Sequence, residues 1–406
     1  MIDFELVRKQ PDMIRELCRK RGSDVDVDNV LALDAELRAT LTRLEELRHQ
    51  RKQIAGGDRA RAVEIKDEIA RLEPRETELR AQRDDLWARI PNLLAPDTPE
   101  GKDDSDNVEL EKCGTIPAFH FKPEPHDVIG ARLDLLDLKH AASVAGSGFT
   151  YWRGDGARLL WGMFSLALDH LGGQGFLPMF TPVVTRARTL FGTGYLPFFK
   201  DDIYKIENED LCLIGTSEQT LLAYHIGETV PADSLPLLYT AFSPCFRTEA
   251  GSYGKESRGA FRLHQFHKVE QIVICRPEDS ERWHEQCLVN EKTIMELLGI
   301  PYRVVRVCTG DMGAPGYKKY DVEGWFSAFG GYRETQSNTN LLDYQSRRLG
   351  LKAKDGSKTF FPHTISATMI TDRAMLAMME NNQTGSGGFT VPEPLRRFVG
   401  GKETVG

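Results

Sequence analysis

Two heptad-spaced runs near the start of the chain, separated by a glycine pair, constrain its fold more than any other feature. Val30, Leu33, Leu37, Thr40, Leu44, Leu47, Arg51 and Ile54 follow a three-four spacing, and most of them are apolar, as a coiled-coil seam requires. Ala62, Ile65, Ile69, Leu72, Glu76, Leu79, Arg83, Leu86 and Ile90 repeat the spacing, and Gly56-Gly57 between the runs lets the chain reverse. The pattern predicts two antiparallel helices of roughly 25 to 30 residues, hence an arm about 40 Å long at 1.5 Å per residue. Pro74 falls inside the second helix and predicts a kink there.

An exposed helical hairpin is most often a dimerisation or spacer device. Its tip, however, gathers Arg48, Arg51, Lys52, Arg59 and Arg61 with only Asp58 opposing them, a basic spot suited to RNA phosphates. The chain as a whole carries a formal charge of -8, which argues against non-specific nucleic-acid binding by the entire surface. At 406 residues it is long enough for two domains. It has no run of eighteen apolar residues and no basic-then-apolar start, so neither a membrane span nor a secretory signal is expected. Seven scattered cysteines without a CxxC indicate a reducing, cytoplasmic setting.

The stretch FRTEAGSYGKESRGAFRLHQFHKVEQ, Phe246 to Gln271, carries the chemistry. Alternating apolar and aromatic residues on both flanks of a glycine- and charge-rich middle predict a long-looped antiparallel hairpin. Arg247, Glu249, Arg258 and Phe266 are candidates for one mouth of it. A guanidinium fork suits phosphate or carboxylate oxygens, a flat ring stacks on a base, and a carboxylate accepts from an exocyclic amine. Taken singly, an Arg or Glu here reads more readily as part of a solvated ion pair. His264 and His267, three apart on a strand, fall on opposite faces and are expected to be structural.

As a whole this string resembles the second signature motif of class II aminoacyl-tRNA synthetases, in the form found in seryl-tRNA synthetases. The resemblance extends over nearly the whole chain. Residues 91–111, rich in proline and aspartate, read as a linker; the expected domains are 1–95 for the helical arm, 96–125 for the linker and 126–406 for a catalytic domain. Beyond it, GFTYWRGDGARLLWGMFSLALDHL and then GFLPMFTPVV, a strand containing Pro182, resemble the first motif, whose helix and strand form the dimer interface in the family, so a homodimer is implied. Thr216 and Glu218 match the TxE motif that receives the amino acid's ammonium, although a Thr-Ser-Glu is by itself as readily a helix cap. Glu334 and Ser337 match the positions that hold ATP and Mg²⁺, whereas Glu334 alone would read as paired with Arg333 or Arg347. Asp321 and Glu323 are expected to pair with Lys318 or Lys319. HTISATMITDRAMLAMMENNQ resembles the third motif, with Arg373 facing the γ-phosphate.

This third motif is one residue shorter than the family's usual form. Counting forward from His363 puts Ser366 and Thr368 at the serine pocket, whereas counting back from Arg373 puts Ile365 and Ala367 there. The first count leaves hydroxyls beside Glu270, and a site built to bond a hydroxyl rejects analogues lacking one. The resemblance therefore implies an α+β fold, a class II synthetase-like antiparallel sheet flanked by helices with an N-terminal antiparallel two-helix coiled-coil arm. The implied activity is serine–tRNA ligation on tRNA(Ser), with tRNA(Sec) as a second acceptor the resemblance allows, using L-serine, ATP and Mg²⁺. Two rival readings remain open: a paralogue delivering an activated amino acid to a carrier protein or small amine, and a non-catalytic RNA-binding regulator.

Overall fold

The computed structural model describes residues 1–54, 58–250 and 259–406, and divides them into two units, Met1–Leu93 and Leu94–Gly406. Gly56-Gly57 and Arg258 lie outside the described residues.

In the first unit α1 (Phe4–Lys9) and α2 (Pro11–Lys20) precede the long pair α3 (Val27–Gln53) and α4 (Arg59–Ala88), of 27 and 30 residues. Asp26 and Asp58 start the long pair, each carboxylate accepting from the backbone N–H three residues on at 3.0 Å. Val30, Leu37, Leu44 and Leu47 are buried on α3, and Ile65, Ile69 and Leu79 on α4.

The α3 seam differs from the expected one at two positions. Arg51 is exposed, and Leu33 is only half-buried while its neighbour Asp34 turns inward to 1% exposure. A carboxylate is tolerated there because arginines surround it. Arg8 donates from Nε and Nη2 at 2.9 and 2.8 Å, Arg38 from Nε at 3.0 Å and Arg83 from Nη1 at 3.3 Å. Burial pushes the Asp34 carboxyl up, but these partners hold it below its usual range. Helix α4 runs on through Pro74. Pro74 and Ala70, whose carbonyl loses its donor, are both exposed, so that carbonyl is accessible to solvent.

The second unit is built on an eight-stranded sheet. In chain order its strands are β1 (Val108–Cys113), β2 (Leu177–Pro178), β3 (Leu237–Phe246), β4 (Gln265–Cys275), β5 (Tyr302–Arg306), β6 (Lys318–Phe326), β7 (Gly331–Leu342) and β8 (His363–Thr371). They lie side by side as β1-β5-β6-β7-β8-β4-β3-β2, antiparallel except for the β2–β3 pair. The α+β expectation therefore holds, with β3 and β4 forming the expected hairpin. Helices α5 (His126–Arg132), α6 (Gly154–Gly173), α7 (Ser280–Leu297) and α8 (Asp372–Asn381) contribute to the apolar core against this sheet, through residues such as Ile129, Phe164, Ile294 and Met375.

Two segments depart from expectation. Val108–Cys113, read as linker, is the edge strand β1. It is mostly exposed and is held by its ladder and by pairs such as Glu111–Lys292 at 2.6 Å, so apolar alternation gave no signal. The strand expected around Pro182 ends at Pro178, since each proline removes a ladder donor and confines the segment to an edge.

Candidate active site

A cavity of about 410 Å³ opens on the face formed by β4, β6, β7 and β8. At one end, Phe266, Lys268 and Glu270 alternate along β4 and so share its cavity face. On β8, Ser366 and Thr368 line the cavity, whereas Ile365 and Ala367 belong to the apolar core. Around the fully buried Glu270, the Ser366 hydroxyl donates to Oε1 at 3.2 Å and the Thr216 hydroxyl to Oε2 at 3.3 Å. Lys268 Nζ lies 2.5 Å from Oε2 and donates to Thr368 Oγ1 at 3.4 Å.

Glu218, at the start of the short helix Glu218–Ala223, completes this end. Its Oε1 accepts from Gln345 Nε2 at 2.7 Å, and Gln345 in turn accepts from the Thr364 hydroxyl at 2.7 Å. Burial, and next the charge of Glu270, push the Glu218 carboxyl up to about 7. Burial likewise raises Glu270, opposed by Lys268. A small ring of hydroxyls around two buried carboxylates suits a ligand that carries both an ammonium and a hydroxyl.

At the other end, Arg247 follows β3 and its backbone N–H donates to His264 O at 3.0 Å. Its guanidinium lies 5.2 Å from the Phe266 ring centroid, and its buried Nε has no hydrogen-bond partner among the described residues. Glu249 adopts a left-handed backbone with φ of 55° and pairs with Arg262. Arg373 Nη1 donates to Glu334 Oε2 at 3.1 Å and to Glu334 O at 2.8 Å. Burial pushes the Glu334 carboxyl up, but Arg373 and then Lys319 outweigh it and hold it low. Glu334 thus pairs with Arg373 and not with Arg333 or Arg347.

Glu334 and Ser337 are three apart on β7, a spacing that sends side chains to opposite faces of a regular strand. The register shifts between them: Glu334 pairs with Glu323 and Gln336 with Val322, leaving Thr335 as a bulge, and both side chains line the cavity. A carboxylate and a hydroxyl are hard oxygen donors, so the pair fits Mg²⁺. Asp321 pairs with Lys319 at 3.0 Å, as expected, whereas Glu323 pairs with Arg303 at 2.7 Å.

The cavity thus gathers Glu218, Arg247, Glu249, Phe266, Glu270, Glu334, Ser337, Ser366, Thr368 and Arg373, with Thr216 bonded to its wall. The sequence reading missed Lys268, Gln345 and Lys319. Lys268 was findable, because it lies two residues from both Phe266 and Glu270 on one strand face. Gln345 reaches in from a distant helix, Tyr344–Leu349, without a local signal. His264 precedes β4, with Nδ1 3.1 Å from Arg247 O, while His267 Nδ1 lies 3.3 Å from Asp372. Asp372 outweighs the burial that would lower the His267 pKa and holds it above its usual value.

In the helical unit, Arg51, Lys52 and Arg59 are exposed; Arg48 pairs with Glu73 and Arg61 with Glu64, each at 2.9 Å. All seven cysteines are free, and among the described residues no helix is long and apolar enough to cross a membrane.

This sheet, with a strand-loop-strand hairpin and a strand running into an arginine-bearing helix around one cavity, is the architecture of class II tRNA synthetases. Residues 201–382 match the tRNA synthetase class II core domain (G, H, P, S and T), and residues 1–94 match the seryl-tRNA synthetase N-terminal domain. The chain is 40% identical to the serine–tRNA ligase of Rubrobacter xylanophilus, over 100% of this chain and 99% of that one. The seryl-tRNA synthetase of Pyrococcus horikoshii, solved in complex with ATP, superposes with a TM-score of 0.94 at 37% identity, covering 100% of this chain and 99% of that one. The cytoplasmic serine–tRNA ligase of Naegleria fowleri, in complex with AMP, gives 0.90 at 31% identity, covering 100% and 98%. The chain belongs to the seryl-tRNA synthetase family.

Proposed function

We propose that this chain is an ATP-dependent serine–tRNA ligase. The observation that carries the reading is one cavity whose ends are complementary to the two substrates: a hydroxyl-ringed pair of carboxylates beside an arginine- and aromatic-lined compartment. In the first step a serine carboxylate oxygen attacks the α-phosphorus of ATP, the bond to the bridging oxygen breaks, and pyrophosphate leaves. In the second, a terminal ribose hydroxyl of tRNA(Ser) attacks the acyl carbon, loses its proton, and AMP leaves.

Glu218 with Thr216 holds the ammonium, and Glu270 with Ser366 and Thr368 holds the hydroxyl. Arg247 bridges the carboxylate and α-phosphate, and its Nε, without a partner among the described residues, can donate to such an oxygen. Phe266 stacks on adenine, Glu249 accepts from its amino group, and Arg373 neutralises charge on the departing phosphates. Arg258 belongs to the same ATP assignment. Glu334 and Ser337 would hold Mg²⁺, which would supply charge neutralisation for the phosphates.

Arg51, Lys52 and Arg59, with Arg48 and Arg61, contact tRNA phosphates; the ion pairs of the last two are surface pairs that exchange at little cost. Trp161 on α6, Leu177 on β2 and the nearby Phe180 are exposed, supporting a homodimer through that face. Seven free thiols support a reducing, cytoplasmic location. Arg247→Ala tests the assignment: serine-dependent ATP–pyrophosphate exchange should fall about 10³-fold, roughly 4 kcal/mol of transition-state stabilisation. Exchange at the wild-type rate in that variant refutes it.

A further inference from the structure

Behind the cavity wall lies a buried histidine–carboxylate pair that the chemistry above does not use. His126, the first residue of α5, is 4% exposed and Glu380, on α8, is 2% exposed. Glu380 Oε1 accepts from the His126 Nδ1–H at 2.8 Å and from the His126 backbone N–H at 3.1 Å. Its Oε2 accepts from the backbone N–H of Ala328, in the turn joining β6 to β7, at 3.0 Å. With the proton fixed on Nδ1, Nε2 is left as an acceptor, and it takes the backbone N–H of Ala260 at 3.2 Å.

Ala260 sits at a demanding place. Gly259 has φ of 69°, and a Cβ there would lie 2.4 Å from His126 Nε2, so the ring abuts the backbone directly. The next residue, Phe261, lines the cavity; its carbonyl accepts from Arg373 Nε at 3.3 Å, and its ring lies 4.3 Å from the Arg373 guanidinium carbon. Arg373 and Glu380 are seven residues apart on α8, two turns along one side. The 259–261 backbone is therefore held to α8 at two points, through His126 at Ala260 and through Arg373 at Phe261.

We propose that His126, oriented by Glu380, is a positioning residue for nucleotide binding. It fixes the backbone at Ala260 and thereby the Phe261 carbonyl and ring that aim the Arg373 guanidinium into the cavity. The proposal rests on the ligase reading, in which Arg373 meets the ATP phosphates. Without the tether, Phe261 shifts, Arg373 loses its acceptor and stacking partner, and ATP pays the ordering cost on binding, while the serine end of the cavity is untouched.

The two amide replacements separate positioning from stability. Asparagine places an amide N–H near the Nδ1 position, keeping the Glu380 contact and losing the acceptor at Ala260; glutamine reaches the Nε2 position with its carbonyl, keeping the tether and losing the Glu380 donor. In serine-dependent ATP–pyrophosphate exchange, His126→Asn should raise the ATP KM about tenfold with the serine KM within about twofold of wild type. His126→Gln should leave the ATP KM within about twofold of wild type while its melting temperature falls. Equal ATP KM values in the two variants, or values that follow the loss of melting temperature, would overturn the proposal. Wild-type protein without any exchange would instead remove the ligase reading beneath it.

Discussion

Replacing Glu218 with Gln should make the protein more stable and a worse enzyme at the same pH. Burial pushes the carboxyl from 4.5 to about 7, which is worth about 3 kcal/mol. Below pH 4.5 both folded and unfolded chains hold this proton and the penalty is absent. As pH rises toward 7 the unfolded chain ionises while the fold keeps its proton, so stability is lost, and the loss is complete above 7. Glu218→Gln keeps an acceptor for Gln345 and should gain up to about 3 kcal/mol at pH 8, shrinking to about 1 kcal/mol or less at pH 5. Function runs the other way. Only the carboxylate holds an ammonium well, and its population in the free protein rises about tenfold between pH 6 and pH 8 for a pKa near 7. The serine KM, measured by pyrophosphate exchange at saturating ATP, should therefore be about tenfold higher at pH 6 than at pH 8. In Glu218→Gln it should be flat with pH and raised roughly 10- to 150-fold, the range of a charge-assisted hydrogen bond. A flat wild-type profile, or an unchanged slope in the variant, would refute the assignment of Glu218 to the ammonium.

Two further perturbations address the helical unit. Excising Ala35 to Gln82 and bridging the ends with a short turn should leave adenylate formation unchanged and reduce tRNA charging; unaltered charging kinetics would remove the arm from tRNA recognition. Asp34→Ala leaves three arginine side chains without their shared carboxylate and should lower stability by about 2–4 kcal/mol in chemical denaturation, since Arg8 and Arg38 can partly rehydrate. A loss below about 0.5 kcal/mol would show that the cluster contributes no more than a surface pair.

The sequence was legible where a local pattern carries both fold and chemistry. Heptad spacing exposed α3 and α4, and the residues flanking the 246–271 string exposed the β3–β4 hairpin. The preference for Ser366 and Thr368 over Ile365 and Ala367 came from hydroxyl chemistry, and the alternation along β8 puts the two pairs on opposite faces. It was illegible where the cause is non-local. Asp34 is buried because Arg8 and Arg83, 26 and 49 residues away, converge on it. Strand β1 exists through its ladder to β5 and its ion pairs, with little apolar burial to announce it. Glu334 and Ser337 share a face only because of a bulge at Thr335, a register detail set by the pairing with β6. Gln345 and the His126–Glu380 pair reach their partners across 127 and 254 residues of chain, beyond any periodicity argument.

The most direct test of the central claim is ATP–pyrophosphate exchange with each of the twenty amino acids, followed by transfer of the activated one to total tRNA. The account predicts exchange with serine alone and charging of the serine-accepting tRNA. Exchange with a different amino acid, or serine activation that never reaches tRNA, would contradict it.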